Sequence, residues 1–184
     1  MNDLAKIYQQ LLKHSLPEAA LEDSELLKTA QRAAKSWEFR IGGYTKKVAD
    51  VISGAIYPAK SSDLVVVKSI AFSSTCAHHL LPFLGTCHIA YLPDQKLLGL
   101  SKFSRIVDMF ARRLQLQEYL TREIAEAVQD AVAAKGVGVI LTARHACVTV
   151  RGVEKRESSV TSYARLGELN NDNYWQQFLT EIRS

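Results

Sequence analysis

Two short clusters, Cys76-Ala77-His78-His79 and His145-Ala146-Cys147, hold two of the chain's three cysteines and three of its five histidines. Thiolate and imidazole together suit zinc. Cys76 and His79 are close enough in sequence for one helical turn or a tight loop to aim both at one point. Cys147 is the candidate third ligand. Three protein ligands with a fourth position open is the pattern of a catalytic zinc, which activates a water. His78 and His145 then lie beside the metal without ligand duty, as candidates for proton transfer near neutral pH. Plainer readings exist for each residue. A Cys and a His at this spacing also occur as a buried pair without metal. A fourth protein ligand, Cys87 or His88, would make the zinc structural. Both, however, sit in a strand predicted to run away from the site, where Cys87 is expected to pack and His88 to be structural. His14 is expected at the surface.

The elements that must position these clusters can be read from periodicity. Leu4, Ile7, Leu11 and Leu12 recur at helical spacing, with Pro17 after the break, and Leu26 to Trp37 gives a second amphipathic helix. Gly42-Gly43 reads as a loop, and Thr45 to Ile56 as a possible third helix. From Asp63 the period changes. Leu64 to Phe72 is rich in β-branched residues and predicts a strand leading into the Cys76 cluster. Thr86 to Leu92 predicts the returning strand. Ser101 is a candidate N-cap for a helix carrying Ile106, Val107, Met109 and Phe110. From Gln117, the residues Leu120, Ile124, Val128 and Val132 mark the clearest helix, which Gly136 is placed to end. Val137 to Ala143 predicts a strand running into His145 and Cys147. Ser158 to Ala164 predicts a last strand and Trp175 to Ile182 a closing helix. The order strand, strand, helix, helix, strand, strand implies an α+β architecture: an antiparallel four-stranded sheet with two helices on one face. The expected division is an N-terminal helical extension over 1–60 and the sheet domain over 61–184.

Composition narrows the function classes. The chain has 184 residues, 47% hydrophobic and 23% charged, which suits a folded domain and argues against disorder. No run approaches the roughly 18 apolar residues of a membrane span. The first residues lack the pattern of a signal peptide. Three cysteines, two of them in clusters with histidine, do not resemble a disulfide framework. The expectation is a cytoplasmic protein with reduced thiols, not bound to a membrane. A net charge of +4 fits an anionic ligand such as a phosphorylated small molecule, and a merely solvated basic surface fits it too. No dense Lys/Arg stretch with interleaved aromatics points to nucleic acid.

The segments Cys76-Ala-His-His-Leu-Leu-Pro-Phe, Gly99-Leu-Ser-Lys-Phe-Ser-Arg-Ile-Val-Asp-Met-Phe-Ala-Arg-Arg, Gln115-Leu-Gln-Glu-Tyr-Leu-Thr and His145-Ala-Cys-Val-Thr-Val-Arg-Gly-Val resemble GTP cyclohydrolase I in order and spacing. The resemblance runs from about Thr29 to Leu169. It implies the tunnelling fold, in which sheets of several subunits join into barrels. It also implies a homo-oligomer, typically a decamer of two pentamers with active sites at subunit interfaces. The implied reaction converts GTP and water to dihydroneopterin triphosphate and formate. Zn2+ would be held by Cys76, His79 and Cys147. His78 or His145 would protonate N7 and serve the later proton transfers. Glu118 matches the carboxylate that accepts from N1–H and the 2-amino group of guanine. Lys102, Arg105 and Arg151 match triphosphate contacts, and Ser101 a nearby hydroxyl. Arg32 and Lys35 match residues that reach the site from another subunit. Arginine suits phosphate because its planar fork donates twice.

Two positions depart from the family pattern. Ala77 stands where the family usually carries Glu, so a carboxylate beside the metal site is missing. Ala30 stands where the family has proline. The departures keep alternatives open: a variant that stops at a ring-opened formamide or makes another product from GTP or a related purine nucleotide, or a nucleotide-binding regulatory homologue without turnover. The product's route, whether folate, tetrahydropterin or deazaguanine, is not written in the residues.

Overall fold

The computed structural model describes residues 3–183. It separates into two compact units, Met1–Gly42 and Gly43–Ser184. The first holds α1 (Asp3–Ser15), the single turn α2 (Glu18–Leu21) and α3 (Thr29–Ile41). Ala5, Ala30 and Ala34 are its buried residues. Leu26 and Leu27, read as the start of the second helix, lie in the turns before α3.

In the second unit the order is α4 (Val48–Ile52), β1 (Ile56–Pro58), β2 (Val65–Cys76), β3 (Pro82–Leu92), β4 (Lys96–Leu98), α5 (Leu100–Ala111), β5 (Leu114–Gln115), α6 (Gln117–Val132), β6 (Gly136–His145), α7 (Ala146–Thr149), β7 (Val160–Gly167) and α8 (Asp172–Arg183). The segment read as a third helix is a 3-10 turn at Gly42–Thr45, the five-residue α4, and then β1. Val48, Val51, Ile52 and Ile56 join the main core, so residues 43–60 pack with the sheet.

The α+β expectation holds. The main sheet has the order β5-β2-β3-β6-β7. Its four long strands are antiparallel, and β5 adds two residues in parallel beside the end of β2. α5 lies over β2, and α6 over β6 and β7, on one face. Phe103, Ile106, Leu120, Ile124 and Val128 meet Phe83, Ile89, Val139 and Leu141 there, all fully buried. The helical spacing of the first set and the alternation of the second are what bring these faces together. The other face is covered too, by α8: Trp175 and Phe178 pack on Ala90, Leu92 and Ile140.

Two expected boundaries move. Gly99, not Ser101, is the N-cap of α5, and no side chain caps it. Gly99 donates to the Ala55 carbonyl and a Cβ there would sit 3.2 Å from that of Ala55, so close packing selects the residue. α6 ends at Ala133, in the left-handed region at φ 50°, not at Gly136. Gly136 opens β6, where a Cβ would come within 2.6 Å of the Glu168 and Leu169 backbone nitrogens.

One irregularity decides where Cys76 points. Val67 pairs with Ile89 and Ile70 with Cys87, so β2 carries one extra residue there. Ser69 sits at φ 58° in this bulge, and its N–H donates to Nδ1 of His88 at 3.3 Å. The extra residue shifts the alternation: Val65 and Val67 face the main core before the bulge, and Ile70, Phe72 and Cys76 face it after. Without it, Cys76 would turn to the opposite face. His88 can accept only while Nδ1 is unprotonated. Burial, with Lys68 adding to it, holds its pKa below the ordinary value. A histidine whose pKa is lowered on folding binds protons more readily unfolded, so it destabilises the fold as pH falls through the unfolded value near ~6.5. We therefore expect the unfolding midpoint to drop between about pH 7 and about pH 5. Replacing His88→Gln, which keeps an acceptor but does not titrate, should flatten that dependence. A midpoint slope unchanged by the substitution would remove His88 as the cause.

Candidate active site

β2 and β6 both run antiparallel to β3, so both finish at the same end of the sheet. Cys76 is the last residue of β2 and His145 the last of β6. Pairing carries them together: Thr75 lies opposite Pro82, and the next residue, Phe83, lies opposite His145. The turn after Cys76 is closed by backbone bonds. Cys76 N–H donates to Leu81 O, Leu80 N–H to Cys76 O, and Ala77 N–H to Gln115 O on β5. Leu80 takes φ 56° to complete it. The expected tight loop is thus a turn at a strand end.

Within that turn the ligand atoms of Cys76, His78 and His79 lie within 4.8 Å of one another. Cys76 Sγ is 3.7 Å from His79 Nδ1. Cys76 is buried, and His78 and His79 are exposed. Cys147, in the single turn α7, brings its thiol against that of Cys76. Its pKa is raised by burial first, then by the facing Cys76 thiol. A backbone N–H and Arg151 act in the opposite direction. The donor set fits a sulfur-tolerant divalent cation. The Cys76 thiol opposes ionisation of Cys147, and a cation beside Cys147 would reverse that opposition. Cys76 and His79 are thus together with His78 in one group, and Cys147 meets that group at the Cys76 thiol.

His145 is held on two sides. Its ring stacks on Phe83, with centroids 4.5 Å apart and planes 4° from parallel. Its Nε2 is 2.8 Å from Oε1 of Gln117. Burial lowers its pKa, and Glu118 opposes that shift. Glu118 is thus near enough to His145 to be felt, with its side chain exposed in the first turn of α6. Cys87 is fully buried in mid-strand, where burial pushes its thiol far up, consistent with packing. His14 is exposed.

The cationic residues divide. Ser101 and Arg105 are exposed on α5, one helical turn apart. Arg105 lines a cleft of about 340 Å³ with Thr45, Lys46, Asp50, Asp108 and Arg112. Lys102 is buried between them in sequence, and its Nζ donates to the Val51 carbonyl of α4 at 3.1 Å. Arg151 is exposed after α7 and acts on Cys147. Arg32 and Lys35 are exposed on α3 in the first unit.

Sequence reading passed over Gln117 and Phe83. Gln117 is only 2% exposed, although it opens a helix whose next two residues are exposed. A glutamine buried at a helix start is a signal of a committed hydrogen-bond network, but its partners come from β6 and β7 and are not visible locally.

Comparison with known proteins finds relatives over most of the chain. The family model described as GTP cyclohydrolase I matches residues 5–183. A protein of Pseudoalteromonas atlantica named GTP cyclohydrolase 1 is 47% identical over 172 residues, 94% of this chain and 92% of its own length. Proteins of the same name from Hahella chejuensis and Chromohalobacter salexigens are 52% and 51% identical, each covering 84% of its own length and 85% and 84% of this chain.

Proposed function

The chain belongs to the GTP cyclohydrolase I family, and we propose that it is a zinc-dependent enzyme hydrolysing GTP at C8, with ring opening, release of formate and rearrangement to 7,8-dihydroneopterin triphosphate. Its α+β sheet is the tunnelling fold. What supports the reading most is that His79 and Cys147 each meet Cys76 at the end of the sheet where His145 is held by Gln117.

Zn2+ held by Cys76, His79 and Cys147 would lower the pKa of water to roughly 7 and so supply a nucleophile for C8. The chain's own residues do the rest. His78 or His145 gives a proton to N7, which makes C8 more electrophilic and lets the ring open. The same histidines carry protons in the sugar rearrangement. Glu118 accepts from N1–H and the 2-amino group and so selects guanine. Ser101, Lys102, Arg105 and Arg151 bind the triphosphate, joined by Arg32 and Lys35 from another subunit. Lys102 must leave the Val51 carbonyl to do so. This division of labour makes the sheet domain, read from the sequence as 61–184 and joined in the structure by residues 43–60, the catalytic domain, with the helices before it an extension. The working form is a homo-oligomer, a decamer of two pentamers with interfacial sites, in the cytoplasm. Among the described residues no helix is long and apolar enough to cross a membrane. Nucleic acid is not proposed as a partner.

The test is the reaction itself: full-length protein with zinc and GTP, oxidised afterwards, yields fluorescent neopterin triphosphate and an equivalent of formate. Intact GTP at every zinc concentration rejects the reading in favour of a nucleotide-binding homologue. Ala77 favours a second reading, turnover arrested at the formamide. Ala77 is exposed and contributes its N–H to Gln115 O, so a longer side chain there meets solvent. Loss of a carboxylate near a metal site costs about 10- to 100-fold. Ala77→Glu is therefore expected to raise formate release by about 10-fold. A fall instead would show that the site is built around alanine.

A further inference from the structure

Resting on the proposed acid–base role of His145, we infer that Gln117 is a positioning residue that fixes His145 as its Nε2–H tautomer, leaving Nδ1 as the atom that exchanges protons with substrate. The orientation of the Gln117 amide is set by its other partners. Its Nε2, with two hydrogens to give, lies 3.2 Å from the Leu141 carbonyl, 3.0 Å from the Val160 carbonyl and 3.0 Å from Ser162 Oγ. Two of these are backbone carbonyls, which can only accept. Flipping the amide would set its oxygen against both, acceptor against acceptor. Oε1 therefore faces His145 at 2.8 Å, and an amide oxygen can only accept. The imidazole must donate from Nε2. In the neutral ring the lone pair then belongs to Nδ1, and in the charged ring the transferable proton is on Nδ1.

The network reaches back into the fold. Thr121 Oγ1 is 2.6 Å from Gln117 O and 2.7 Å from Ser162 Oγ, tying the first turn of α6 to β7. Phe83 fixes the ring plane by stacking. Gln117 determines which nitrogen faces it, and Phe83 determines how the ring lies.

Neutron diffraction of the perdeuterated, zinc-loaded full chain at about pH 8 reads this directly, because deuterium positions are observed there rather than inferred. The expected map has deuterium on Nε2 and none on Nδ1. Deuterium on Nδ1 alone, or the Gln117 amide nitrogen facing His145, would overturn the inference. Gln117→Met removes the acceptor and should release the tautomer, lowering kcat by roughly 100-fold with KM little changed. Ser162→Ala, which touches the amide but not the ring, should leave the deuterium in place. If Gln117→Met does not fold, the parent crystal alone decides. An inactive chain with deuterium on Nε2 would reject the proposed reaction and keep this assignment; an active chain with deuterium on Nδ1 would do the reverse.

Discussion

Replacing Cys147→Ser is expected to strip the zinc from the protein and lower formate release by at least ~1,000-fold, since water without a Lewis acid is too weak a nucleophile for C8. The prediction is sharp because the structure offers a rival. His78 lies with Cys76 and His79 inside 4.8 Å, whereas Cys147 reaches the group from α7 through the Cys76 thiol. If His78 were the third ligand, His78→Ala would lose the metal and Cys147→Ser would keep it. We expect the opposite: metal analysis finds zinc in His78→Ala and little in Cys147→Ser. Soft thiolates facing one another are the stronger attraction for zinc. Cys147 is also the better test than Cys76, which is 6% exposed within the main core, where a substitution would disturb packing as well.

The second large effect is expected at His145. His145→Ala should retain zinc yet lose roughly 100- to 10,000-fold in kcat, the usual range for a general acid–base group. The loss should fall on kcat more than on KM, because Glu118 and the cationic residues proposed to hold the nucleotide are unchanged. Part of any change is structural. The Gln117 Oε1 would be left buried without its partner, costing about 1–3 kcal/mol, and Phe83 would lose its stacked neighbour. A melting curve separates the two: a stable, zinc-loaded and slow variant supports the proton-transfer role. A variant as fast as the parent would pass that role to His78.

Much of the site was legible because its chemistry is local in sequence. Each half of the proposed ligand set is a tight cluster, and a strand leads into each. The β-branched run before Cys76 and the four-residue step of Leu120, Ile124, Val128 and Val132 predicted β2 and α6 within a few residues. What stayed hidden depends on partners far along the chain. The bulge at Ser69 is stabilised by His88 from the neighbouring strand, and no pattern in β2 announces the extra residue. Yet that residue turns Cys76 to the face where Cys147 waits. Gln117 looks like an ordinary helix-starting amide until Leu141, Val160 and Ser162 are seen around it. Gly136 reads as a helix stop, but close approach of the Glu168 and Leu169 backbone is what requires it. The cap of α5 went to Gly99 for a similar reason, contact with Ala55.

The account stands on two thiolates and one imidazole sharing one ion. Zinc-edge X-ray absorption on the full chain carrying one equivalent of zinc measures that set. Two sulfur neighbours near ~2.3 Å with a single imidazole nitrogen near ~2.0 Å is the predicted result. One sulfur with two imidazoles, or a fourth donor from the protein, would contradict it.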